Sequence, residues 1–133
     1  MREFQFKGYY LYSGRIGDLT GKLNLHSKNN FKGIITAHMS GSPEQLILGE
    51  IAVAKEKTHL AFFKFPPNEG LANLLYVLSK EGNKTFEGKY TGRWSALPYK
   101  IHIHNEKIGL ILASVDPKVM GIGDYAELTL STK

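Results

Sequence analysis

Five histidines are the first residues whose chemistry is worth placing. His102 and His104 lie two apart in "KIHIH", a spacing that sets two imidazoles on one face of a strand, within reach of one metal ion. Ile101 and Ile103 claim the core, so the pair points outward, and no carboxylate or third histidine is placed to complete a ligand set; no metal site is expected. His26 falls in a loop and His38 on the polar face of its strand. His59 can share an inward face with Ala61, Phe63 and Phe65, which makes it the histidine to watch in a cavity, with a satisfied core or rim position as its plainer role. Glu50 sits between apolar neighbours, where partial burial could make a carboxylate a base or a ligand anchor. Its parity puts it outside, with a surface lysine as the expected partner.

A second set is aromatic: Tyr10, Tyr12, Tyr76, Tyr90, Trp94 and Tyr99. In one role these side chains fill a core and send each hydroxyl or indole N–H to a partner at its edge. In the other they line a pocket that is mostly apolar with a few polar tips, as ligand sites tend to be. Tyr12, at a strand end, and Trp94 and Tyr99, flanking "SALP", would then matter most. Arg93 alternates outward from Trp94 and could serve a ligand only at the rim. No Gly-x-Ser-x-Gly elbow, phosphate loop or paired-carboxylate strand is visible, and "GIGDY" (121–125) reads as a turn. With no cysteine there is no disulfide framework, thiolate metal site or cysteine nucleophile. No cofactor is implied.

The elements that must position these residues are strands. Period-two alternation recurs from end to end: Phe4, Phe6, Gly8, Tyr10 and Tyr12 share one face, then Leu19, Gly21, Leu23 and Leu25, then Phe31, Gly33, Ile35 and Ala37, then Ile47, Gly49, Ile51 and Val53. In "THLAFFKF" both faces are apolar. Further on, "YKIHIHNEKIGLIL" reads as a hairpin, and Ala126, Leu128 and Leu130 line a last strand. In "PPNEGLANLLYVLSKEG" a helical stripe competes with a strand; a short turn or helical stub near 67–72 followed by a strand from about Leu74 fits best.

Residues paired across an antiparallel ladder point the same way, so register can be tested by matching faces. That test pairs Leu25 with Phe31 and Leu23 with Gly33 around "HSKNN", Tyr12 with Leu19 and Tyr10 with Gly21 around "SGRIGD", Leu78 with Phe86 and Tyr76 with Gly88 around "EGN", and Ile103 with Ile108 around "NE". Hairpin-linked strands that each carry one apolar face hide those faces and their edges by closing into an up-and-down barrel. Glycine at inward positions lets strands coil and leaves room for a neighbouring ring. The expectation is a single all-β domain over residues 1–133, a closed antiparallel barrel of eight to ten strands.

The repeated strands "FKGYY", "FKGII" and "FEGKYTGRW" resemble those of the calycin-type barrels: lipocalins, fatty-acid-binding proteins and avidins. The likeness is one of pattern. A lipocalin carries its Gly-x-Trp in the first strand, whereas "GRW" lies at Gly92 to Trp94; a fatty-acid-binding protein places two helices after strand one, where this chain has "SGRIGD"; an avidin brings several tryptophans to its ligand, and only Trp94 exists here. The resemblance implies an architecture and a habit of binding small molecules in or at the mouth of the barrel, with no binding residue carried over.

Charge and composition narrow the function further. The net charge of +5 permits an anionic partner, but 14 of the 17 basic residues are lysine, and Arg2, Arg15 and Arg93 are the only arginines; a nucleic-acid partner is disfavoured. Lys7, Asn24 and Lys32 are expected in a row on the outer face, with Lys22 and Tyr9 near it. No segment approaches the ~18 apolar residues of a membrane helix and no signal-peptide run opens the chain, so a soluble, cytoplasmic protein is expected. Ile34, Leu46, Leu48, Ile111 and Ala113 fall on the outer parity and could cover a homo-oligomer interface. The expected function is binding of a small hydrophobic or aromatic molecule. The alternative is an interaction or oligomerisation module with a packed interior, and an isomerase- or cyclase-type barrel enzyme is the third reading.

Overall fold

In the computed structural model, which describes residues 2–26, 29–38, 44–65, 74–96 and 123–132, the alternating segments become eight strands. They are β1 (Arg2–Tyr12), β2 (Arg15–Leu25), β3 (Asn30–Ala37), β4 (Gln45–Ala54), β5 (Lys57–Lys64), β6 (Leu74–Glu81), β7 (Gly88–Ala96) and β8 (Gly123–Ser131). Each pairs antiparallel with the next, and β8 pairs with β1 to close the barrel. Closure leaves no free edge, which is why a chain made of half-apolar strands takes this shape. β6 begins at Leu74, where the apolar pattern puts it. The hairpin read at 99–112 and the stub at 67–72 lie outside the described residues.

Inward side chains fill the barrel. Phe4, Leu19, Ile35, Ile47, Ile51, Leu60 and Tyr90 are fully buried, and the cross-strand partners Phe62 and Tyr76 stack with centroids 4.7 Å apart and planes 9° from parallel. Gly49 sits opposite both Phe31 and Phe62, and a Cβ there would meet the ζ carbon of Phe31 at 2.6 Å. The ring takes the volume that a side chain would have used. Gly17 and Gly21 do the same for the rings of Tyr10 and Phe6.

Register agrees with face matching between β2 and β3, where Leu25 pairs with Phe31 and Leu23 with Gly33. It differs at two other hairpins. Tyr12 pairs with Arg15 and Tyr10 with Gly17, around the two-residue turn Ser13-Gly14, both at positive φ (49° and 76°). Such a turn matches the strand twist and takes β2 four residues further back than the face test placed it. Tyr76 pairs with Trp94 and Leu78 with Gly92, so Gly88 is not the seat of Tyr76. Gly88 instead opens β7 at φ 130°, next to the Lys80 side chain. Gly123 to Tyr125 belong to β8 rather than to a turn.

Both faces of β5 are buried, as its sequence has it. Leu60 and Phe62 point into the barrel, and Ala61 and Phe63 lie on the outer face, where Leu75 and Ser95 are also buried. That part of the outer face is shielded within the single chain. Glu50 has the outward parity expected of it but is only 4% exposed, has no lysine partner among the described residues, and leaves Oε1 without a hydrogen bond. Burial raises its pKa above the ordinary carboxylate value.

Candidate functional site

The two ends of the barrel differ. At the lower end, where β1 and β7 begin, Phe86 closes over the core: the Tyr90 hydroxyl donates to its carbonyl at 2.6 Å, its ring meets Phe4 at 6.3 Å, and the Arg2 guanidinium stands 4.9 Å from the Phe4 ring and 5.6 Å from that of Phe86. Two turns are tied together there, since the Gly82 N–H donates to Glu56 (2.9 Å) and the Thr58 hydroxyl to the Gly82 carbonyl (2.8 Å). Burial pushes the Tyr90 hydroxyl pKa up. Tyr90 is therefore part of a plug.

At the upper end, where β1, β3, β5 and β7 finish, the aromatic residues form a different arrangement. Tyr10 meets Trp94 edge-on at 6.1 Å, and Tyr12 makes a tilted contact with the indole at 6.0 Å. Trp94 donates its Nε1–H to the Leu11 carbonyl at 2.8 Å, which fixes the plane of the ring. Tyr76, the cross-strand partner of Trp94, is buried beside it, and burial raises its pKa, with the charge of the Tyr10 phenol adding to the effect. Tyr10 itself is half-buried, its pKa raised by desolvation and drawn back by Arg15. Tyr12 is 53% exposed and Ile16 66% exposed at the same rim, and Leu46 is also exposed there. Tyr12 thus presents apolar surface to water beside a fixed indole, while Ile16 and Leu46 expose theirs on the outer face of the barrel.

Polar side chains also share the inward parity at this end: Arg15 and Asp124, both exposed, and Lys64 and Gln45, which are not. Lys64 pairs with Ile47 and Leu74, both facing the core, and is 7% exposed. It has no ion pair or hydrogen bond among the described residues, and desolvation lowers its pKa. Gln45 stands on neighbouring β4, with its Oε1 buried and unpaired. Lys64 continues the inward series of Leu60 and Phe62. Sequence reasoning passed over it because "THLAFFKF" is apolar on both faces.

The remaining candidates lie elsewhere. His59 does not face inward with Ala61 and Phe63: it pairs with Ala52 and Ser79 on the outer parity and borders an outer cleft of about 710 Å³ with Lys55, Lys57 and Glu81. The inward series of β5 belongs to even-numbered residues. A neighbouring cleft of about 530 Å³ shares Lys57 and Glu81, whose 3.6 Å ion pair is exposed, so neither cleft holds a desolvated charge. Arg93 points outward and is exposed, opposite Val77 and Tyr125. Tyr99 lies outside the described residues.

The outer basic row is broken by the β1–β2 register. Asn24 pairs with Glu3 as well as Lys32, Lys7 pairs with Thr20, and Tyr9 pairs with Asp18 and Glu127 instead of approaching Lys22. Tyr125 donates to Glu127 at 3.0 Å, and burial with that carboxylate takes its pKa to about 12. Among the described residues of β1–β3, interleaved acids interrupt the cationic track that would follow a phosphate backbone. No group of three or more His, Cys, Asp or Glu among the described residues could hold a metal ion. Among the described residues no helix is long and apolar enough to cross a membrane.

The chain is a closed eight-stranded up-and-down β-barrel, in general shape that of the calycin-type proteins. Comparison with family models, with curated proteins and with solved structures finds no match.

Proposed function

We propose that the protein binds a small hydrophobic or aromatic molecule at the upper mouth of the barrel. The observation that carries this reading is the difference between the ends: the lower is plugged by Phe86 and Tyr90, while the upper sets Tyr10 and a half-exposed Tyr12 each against Trp94. Apolar side chains around a fixed ring, with phenols at the edge, form the kind of surface on which an aromatic or aliphatic body is desolvated. The packed rings of Phe31, Phe62 and Tyr76 form the floor, which puts the ligand at the mouth rather than along the axis.

The same packing supports the second reading, an interaction module whose rim meets a partner protein. Trp94 separates the two. It is the single tryptophan, so its emission reports this site alone. Titration with apolar and aromatic ligands is expected to shift or quench that emission saturably, and Trp94→Phe is expected to weaken binding measured by calorimetry. Binding that leaves Trp94 emission unchanged would favour the partner-protein reading.

A further inference from the structure

We propose that Lys64 is the anion receptor of the barrel, so that the molecule taken at the upper mouth is an amphiphile with one carboxylate and an apolar or aromatic body. This inference rests on the reading of the mouth as a small-molecule site and names the class of ligand.

The placement of Lys64 is the first reason. On β5 it stands one inward step above Phe62, and its β6 partner Leu74 stands one inward step above Tyr76. Lys64 therefore stands one layer above the stacked pair Phe62 and Tyr76, the floor of the mouth. A lysine at a rim ordinarily extends well into water. This side chain is packed down to 7% exposure and has neither an ion pair nor a hydrogen bond among the described residues. Partial desolvation of a cation with no counter-charge beside it costs free energy that a bound anion would offset.

The surroundings are the second reason. The inward neighbours on the flanking strands are Gln45 and Ile47 on β4 and Leu74 and Tyr76 on β6, none of them acidic. Glu44 precedes β4 and is exposed; Asp124, the inward-parity acid on β8, is three strands away, exposed, and accepts from the Tyr125 N–H. The Tyr76 hydroxyl makes no hydrogen bond to another described residue. A carboxylate beside Lys64 would accept from the ammonium and from this phenol. It would satisfy the charge with charge-assisted bonds. The aromatic side of the mouth, Trp94 and Tyr10, is left for the apolar body.

The test uses two acids, 4-phenylbutyrate and dodecanoate, each beside its methyl ester, with binding read by calorimetry and by Trp94 emission. At least one acid is expected to bind about tenfold or more tighter than its ester. Lys64→Met is expected to erase that preference while leaving ester affinity within about twofold, and Lys64→Arg to retain it. Near-ultraviolet circular dichroism confirms that each variant keeps its aromatic packing. Equal affinity for acid and ester, or a preference that survives Lys64→Met, overturns the role of Lys64 and leaves the mouth site standing. If no acid and no ester changes Trp94 emission, the mouth reading falls and this inference with it.

Discussion

The indole of Trp94 on β7 donates to the carbonyl of Leu11 on β1, bridging the upper end of β8, which lies between those strands. The β1–β8 ladder stops at Tyr10 and Ala126, and the tight Ser13-Gly14 turn takes Tyr12 and Arg15 as its flanking pair. Leu11 is thereby left with its carbonyl turned toward β8 beyond the last ladder bond. The side chain that caps this carbonyl is also the one that Tyr10 and Tyr12 enclose. Removing the indole N–H with Trp94→Phe leaves a part-buried acceptor unpaired. A loss of about 1 to 3 kcal/mol in urea unfolding is expected, with the m-value unchanged.

Gly49→Ala places a methyl against Phe31 and Phe62 and against the carbonyl of Ala61. Overpacking against backbone and two rings is expected to cost about 1 to 3 kcal/mol or more. The contrast is Gly14, where no atom lies within 4 Å of an added Cβ but φ is 76°. Gly14→Asn keeps a residue tolerant of that backbone and is expected to change stability by about 1 kcal/mol or less. A Gly49→Ala variant as stable as Gly14→Asn would contradict the role given to inward glycines as ring seats.

Glu50 gives a pH dependence with a definite sign. Burial raises its folded pKa above 4.5, so its contribution to stability is fully present below about 4.5 and is lost as pH rises through the folded value. Glu50→Gln is expected to be more stable than the parent at pH 7 and equal to it at pH 4. Thermal midpoints of the two proteins across that range check this, because their difference isolates one carboxyl.

Lys64 has the opposite profile. Its folded pKa lies below the ordinary 10.5, so the unfolded chain binds the proton more tightly and stability rises with pH from the folded value toward 10.5. Lys64→Met, close in shape and uncharged, is expected to stabilise the ligand-free protein by about 1 to 3 kcal/mol at neutral pH. The gain over the parent should shrink as pH approaches 10.5.

Parity and closure were legible because both follow from alternation: a strand that shows Phe4, Phe6 and Tyr10 on one side can bury them in only one way. Register was legible only where loop length left one solution, as between Leu25 and Phe31. Face matching is blind to shifts by an even number of residues, which is why Tyr10 was matched to Gly21 instead of Gly17 and Tyr76 to Gly88 instead of Trp94. The aromatic set was visible, but not its division into a lower plug around Tyr90 and an upper cluster around Trp94, since that depends on strand direction in the closed barrel. Lys64 was hidden because a strand buried on both faces carries no periodic signal. His59 was misplaced for the same reason.

The measurement that bears most directly on a ligand site at the upper mouth is Trp94 emission during titration with 4-phenylbutyrate, dodecanoate and their methyl esters. A saturable change with at least one of them, one molecule per chain by native mass spectrometry, is the predicted result. An emission spectrum unchanged by all four, with no mass gain, would contradict it.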